Sequence, residues 1–236
     1  MTERGFSLIE LIIAIVVLLI ISAAIFQAVN AATGRSTTEQ AKVDMFQEAR
    51  EFIDQMSRDL RQAGYPNPRN VSAAVLTASP VANDTHAAAG LVKVDAGDLW
   101  FEGDVTGDGT VSVVQYHLDT STSNNCPCLK RSQLPKVTGN PLTGQTAASY
   151  QIEVQGVQNT DIFSARSNGT PVGLPVTFAS GSGGTIAAID TVQAVLTLQS
   201  PSMDPQTHQK PSTTLVSTVK INNCSQATTG ASMSCQ

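Results

Sequence analysis

MTERGFSLIELIIAIVVLLIISAAIFQAVN, residues Met1 to Asn30, decides how the rest of the chain is read. A polar start, Met1 to Gly5, gives way to a run from Phe6 to Val29 that is apolar except for Glu10 and a few small or weakly polar residues. At about 1.5 Å per residue, a helix of roughly 20 residues crosses the hydrocarbon of a bilayer, and this run is long enough. Glu10 is the anomaly. An unpaired carboxylate just inside an apolar span costs roughly 2.5 to 3.5 kcal/mol even on the mildest scale, so its presence points to function. A secretory signal peptide has a basic start, a shorter apolar core and a small-x-small cleavage site. Arg4 is the one basic residue before the run, and Ser22-Ala23-Ala24 only imitates such a site. Neither a signal peptide nor a plain anchor accounts for Glu10.

Gly5-Phe6-Ser7-Leu8-Ile9-Glu10-Leu11 resembles the processing site of type IV pilins and of the pseudopilins of type II secretion. The resemblance implies cleavage between Gly5 and Phe6 by a prepilin peptidase on the cytoplasmic side, followed by N-methylation of Phe6. It also implies an assembly role for Glu10, whose carboxylate would meet the Phe6 amine of a neighbouring subunit. Opposite charges in a low-dielectric layer attract strongly, and pairing relieves the desolvation of both.

Beyond the first thirty residues the apolar positions recur at helical spacing. Val43, Phe46, Ala49, Ile53, Met56, Leu60 and Ala63 fall on one stripe, with steps of three and four. Asp44, Glu48, Glu51, Asp54, Arg58, Asp59 and Arg61 fall mainly elsewhere. Asp54 and Arg58 are placed for an i,i+4 ion pair, and Arg58, Asp59 and Arg61 read as solvated surface charge. Gly64 and Pro66 supply a stop. The spacing predicts one nearly continuous helix, its first half in the membrane and its second half against a domain, with Gly34 loosening the junction. The segment Gln47 to Tyr65, QEAREFIDQMSRDLRQAGY, resembles the PilW-type minor pilins, and the J-class pseudopilins end this helix in a related way.

The chain has 236 residues, which leaves about 200 after the apolar run, enough for one domain with a substantial core. Net charge is −5 and charged residues make up 14%, so the basic face of a general nucleic-acid binder is missing. Pro66 to Gly90 shows no steady period and reads as a surface excursion. From Leu91 the period becomes two: Leu91–Val94, Leu99–Glu102, Val111–Leu118, Tyr150–Val157, Ile162–Ala165, Val176–Ala179, Thr191–Leu198 and Thr214–Ile221 read as strands. The strand, DGDG-like turn and strand ending in Tyr116-His117-Leu118 resemble PilW-type proteins, as does the final strand pair closed by Asn222-Asn223. The expected fold is α+β: a long N-terminal helix packed on an antiparallel sheet. Its divisions are a leader (1–5), a membrane and filament-core helix (6–30), an amphipathic half of that helix (31–65) and a β-rich head (66–236).

The turn Asp104-Val105-Thr106-Gly107-Asp108-Gly109-Thr110 reads first as a hairpin. Asp104, Thr106, Asp108 and Thr110 also match the opening of a calcium loop, with Gly109 at its turn, but the twelfth position is Gln115 and not a bidentate carboxylate. Cysteines stand at Cys126, Cys128, Cys224 and Cys235, an even number as expected of disulfides outside the cytoplasm. Cysteines two apart close only a small ring, so distant partners are geometrically easier. Pairing of Cys224 with Cys235 would match the C-terminal loop of many pilins, and all three pairings stay open. His86, His117 and His208 stand apart from any nucleophile motif, and Gly181–Gly184 lacks the Lys and helix of a phosphate-binding loop. Trp100 reads as core.

No enzyme is expected. The resemblance implies a structural subunit of a type IV pilus, with other pilins, the prepilin peptidase/methyltransferase, the pilus assembly platform and the inner membrane as its partners. Nucleic acid is disfavoured. The head would lie in the periplasm before assembly. The alternatives are a J-class pseudopilin of type II secretion, and an adhesin or DNA-uptake module carried on a pilus.

Overall fold

The computed structural model describes residues 7–121, 126–178, 186–204 and 207–222, together with the backbone of two short strands at 225–226 and 233–234. A single helix, α1, runs unbroken from Leu8 to Gln62, 55 residues or roughly 80 Å. Gly34 does not interrupt it. The Thr33 hydroxyl donates to the Val29 carbonyl, and Thr37 and Thr38 both donate to the Gly34 carbonyl, which keeps polar groups satisfied where the apolar run ends.

The chain forms two compact units. One comprises Met1–Asp44 and Ser200–Pro211, the other Met45–Gln199 and Ser212–Gln236. In the first, the apolar side chains of α1 point outward: Leu8 is 77% exposed and Phe26 67%. An 18-residue window of this helix has a mean hydropathy of 3.1, enough to cross a membrane.

The second unit holds the core. A six-stranded antiparallel sheet runs in the order β5-β4-β3-β2-β1-β8. Its strands are β1 (Leu91–Val94), β2 (Asp98–Gly103), β3 (Ser112–Asp119), β4 (Cys128–Pro135), β5 (Gln151–Gln155) and β8 (Val176–Thr177). A second sheet, in the order β10-β9-β6-β7, contains β6 (Phe163–Ser167), β7 (Thr170–Pro171), β9 (Thr191–Gln199) and β10 (Ser212–Lys220). The two short strands β11 (Ser225–Gln226) and β12 (Met233–Ser234) pair with each other. The end of α1 packs on this scaffold: Ala49, Phe52, Ile53, Met56, Leu60 and Ala63 share one core with Phe101, Val114, Tyr116, Leu129, Leu196 and Leu198. The fold is therefore α+β, one long helix on antiparallel sheet.

Three expectations change. The buried stripe of α1 is rotated from the one read in the sequence, because Met45 and Phe52 enter the core while Val43 and Phe46 stay exposed. Strand β4 is unforeseen. Its sequence, CLKRSQLP, hides its strand character because Lys130 and Gln133 carry their polar ends to Asp119 and Arg131, and Arg131 reaches the buried Asp59. Finally, Pro66 to Gly90 is not all surface, since Ala82 and Ala87 to Gly90 are buried.

Candidate functional site

At the start of α1, Ser7 stands just before the first helical residue and Glu10 three positions on. The Glu10 side chain reaches back to accept the Ser7 backbone N–H at 3.2 Å. Ser-x-x-Glu before an apolar run is the signature of a capping box, and half of that box is formed here. The carboxylate therefore has a local partner within its own chain. Its second oxygen and its exposed position leave it able to meet a cation from outside. Gly5 and Phe6 lie outside the described residues.

At the other end of α1, charge is buried. Asp59, read from the sequence as surface, is 2% exposed. Its carboxylate accepts from the Gln55 amide at 2.6 Å, the Tyr116 hydroxyl at 2.9 Å, and Arg131 Nε and Nη2 at 3.0 and 2.8 Å. Helical periodicity misplaced it because Asp59 sits beside Leu60 at the margin of the buried face, where its partners come from β3 and β4. Phe52 stands edge-on to the Tyr116 ring at 5.5 Å between centroids. Burial, and then the charge of Asp59, push the Tyr116 hydroxyl well above its ordinary pKa. Arg58, by contrast, is exposed and donates to Gln55 rather than pairing with Asp54. The arrangement ties the helix to the sheet. Arg131 also lines a surface groove of about 580 Å³ with Glu48, Glu51, Asp54, Arg58 and Glu153.

A second buried pair braces the excursion that precedes β1. Lys136 and Glu102 are wholly enclosed, their Nζ and Oε2 2.7 Å apart. Lys136 spends its other protons on the Ala82 and Ala87 carbonyls, and Glu102 Oε2 also accepts the Ala89 amide. Trp100, read from the sequence as core, is only partly buried and packs against the small cluster of Ala82, Ala89, Val92 and Phe178.

The turn between β2 and β3 is closed by Asp104, which is 5% exposed. Its two oxygens accept the amides of Gly107, Asp108 and Gly109. Gly107 and Gly109 have φ of 72° and 85°, the left-handed conformations that glycine adopts without strain. Asp108 accepts the Thr110 amide, and that bond leads the effects holding its carboxyl below the usual range. Gln115, the twelfth position of the calcium pattern, lies inside β3 and accepts from the Tyr150 hydroxyl. Titration with calcium, followed by melting temperature, tests an ion at this turn, and no shift at millimolar calcium would end the idea.

Of the three cysteine pairings left open, the structure has Cys126 bonded to Cys128. Both are buried at the entry to β4, and the Pro127 carbonyl between them accepts the Val157 amide, which anchors this small ring. Cys224 and Cys235 lie outside the described residues. His86 pairs with Asp84 and His117 with Asp98. The His86 ring nitrogen that meets Asp84 also lies 3.4 Å from the Thr85 hydroxyl.

Residues 1–26 match the family of the prokaryotic N-terminal methylation motif. This motif marks a type IV pilin-like prepilin. No curated protein matches the chain. The prepilin motif, and the one helix among the described residues that is long and apolar enough to cross a membrane, agree with membrane anchoring, processing by a prepilin peptidase and assembly with other pilins.

Proposed function

We propose that this prepilin is a minor type IV pilin, a structural subunit and not an enzyme, that joins or initiates a pilus. The observation carrying the reading is the continuity of α1. One helix begins at the methylation motif, presents bare apolar side chains through Val29, and ends locked to a sheet by Asp59 and Arg131. Apolar faces of that kind need a bilayer or other such helices around them, and a filament core of packed helices supplies the second. The head would remain periplasmic until the helix leaves the membrane. Gly5–Phe6 is the proposed scissile bond, Phe6 the methylated residue, and Glu10 the assembly contact.

The resemblance of residues 47–65 to PilW-type minor pilins supports the pilus, and the J-class pseudopilus of type II secretion, whose subunits end this helix in a related way, is the second reading. Mass spectrometry of the native protein tests the first step. A mature chain beginning with N-methyl-Phe6 is expected, and a chain still starting at Met1, or cut after Ala24, would overturn it. Glu10→Ala is expected to insert into the membrane normally and to enter filaments at a several-fold lower level. Wild-type incorporation would remove Glu10 from assembly and leave it only its helix-capping bond. Loss of surface pili with normal protein secretion, after deletion of the coding sequence, separates the pilus from the pseudopilus.

A further inference from the structure

A free sheet edge presents a row of unpaired N–H and C=O groups, and proteins guard such edges with short strands, proline, bulges or charge. Among the described residues, three of the four edges of the two main sheets are guarded. Strand β8 has only two residues, and β7 has two, one of them Pro171. Strand β5 carries Glu153, has a register irregularity against β4, and has the Gln155 amide engaged by Glu48. Strand β10 has none of these devices. It pairs with β9 over nine consecutive residues without a bulge, contains no proline, and bears one charge, Lys220 at its end.

The pairing determines which groups are free. Pro211 accepts from the Ser200 amide, and the Ile221 amide donates to Asp190, so the odd-numbered residues of β10 turn their backbones toward β9. Ser212, Thr214, Val216, Thr218 and Lys220 therefore aim their N–H and C=O groups away from the sheet. Among the described residues no backbone group meets them. Their side chains are all exposed as well, and Val216 is bare at 57%.

We propose that this edge pairs with β10 of a second copy of the chain, antiparallel and centred on Val216. The outward-facing set reads Ser-Thr-Val-Thr-Lys, close to a palindrome. A two-fold axis through Val216 sets that residue against its own mate, Thr214 against Thr218, and Ser212 against Lys220. Each opposed pair exchanges an N–H···O=C bond in both directions. The bare Val216 side chains cover each other, and threonine meets threonine, a favourable cross-strand pair. No like charges are opposed. A two-fold contact uses the same patch on both copies and closes at two, so it differs in kind from a head-to-tail contact that propagates a filament.

The register makes the proposal testable with the full chain in detergent. Opposed residues in such a pair lie about 5.5 Å apart at Cα, within reach of a short bifunctional thiol reagent. Val216→Cys is expected to cross-link to a discrete dimer with several-fold higher yield than Thr214→Cys, whose mate is Thr218. The double variant Thr214→Cys/Thr218→Cys should recover the yield. Val216→Lys, which opposes two ammonium groups, should abolish the dimer detected by the Thr214→Cys/Thr218→Cys pair without lowering the melting temperature. Equal yields at 214 and 216, a ladder of higher oligomers, an undiminished dimer in Val216→Lys, or cross-linking in membranes to a different protein would each overturn it.

Discussion

Asp59 and Tyr116 show how much one buried carboxylate can hold in place. Removing it by Asp59→Ala strands the Arg131 guanidinium and the Tyr116 hydroxyl, 15% exposed and buried respectively, without their main acceptor. Breaking one side of a buried ion pair costs about 3 to 5 kcal/mol, whereas Tyr116→Phe, which removes one hydrogen bond and leaves Arg131 paired, should cost about 1. Chemical denaturation of the full chain, followed by circular dichroism, should separate the two variants. The raised Tyr116 pKa has a signed consequence. Its stabilisation is complete below the unfolded phenol value near 10 and is lost as pH rises from there through the higher folded value. Stability should fall above about pH 10 in the wild type and fall less in Tyr116→Phe, as read from melting temperature across pH 9 to 12. The sequence contained Asp59 but not its burial. A charge in the row Arg58-Asp59-Leu60-Arg61 reads as solvent-facing until β3 and β4 supply Tyr116 and Arg131, 57 and 72 residues away in the chain. Glu10 stands out in the sequence for the opposite reason, since an apolar run makes a single charge conspicuous without any tertiary partner.

Secondary elements were legible wherever one face of an element alternates cleanly. Strand β9 alternates buried with half-exposed residues along its whole length, and its sequence TVQAVLTLQ shows the same alternation. Strand β4 shows no such alternation, and the burial of its Arg131, Ser132 and Gln133 depends on hydrogen bonds rather than on apolarity. The junction of α1 with β2 was not legible either, because it rests on the absence of a side chain. Ala63 bridges to Gly103, and a Cβ built on Gly103 would stand 2.3 Å from the Gln62 carbonyl oxygen. That neighbour is backbone at the end of a helix whose adjacent residues Leu60 and Ala63 are fully buried, so it cannot swing aside. Gly103→Ala should therefore push the helix end off the sheet and destabilise the chain by about 1 to 3 kcal/mol, the usual cost of overpacking. Gly109→Ala meets open space and adds only the left-handed backbone strain, about 1 to 2 kcal/mol. Larger loss at Gly103 than at Gly109, with α1 amides exchanging faster near Gln62 only in the former, is the expected pattern.

At the scale of the whole molecule, one continuous helix serves two solvents. Up to Val29 its apolar side chains lie bare, Leu18 to Ile21 being 54 to 65% exposed. From Met45 onward the same helix buries Ala49, Met56, Leu60 and Ala63 completely. Every member of the main core lies between Met45 and Ile221, so its cohesion owes nothing to the membrane half. Anchor and head are joined by helical backbone yet draw stability from different environments: the first from lipid or neighbouring helices, the second from its own packing. This division has a direct consequence for a chain that begins at residue 31. Its charged and polar helix surface, with Glu39 paired to Lys42, suits water, and all buried contacts of the core are retained. Such a chain should remain in solution without detergent and melt in one cooperative transition, at a temperature close to that of the full chain in micelles. The full chain should precipitate when detergent is withdrawn. Circular dichroism during heating and sedimentation after detergent removal measure both. A truncated chain that needs detergent, or that melts without cooperativity, would mean that the apolar half helps to build the head, and the separation of roles along α1 would fail.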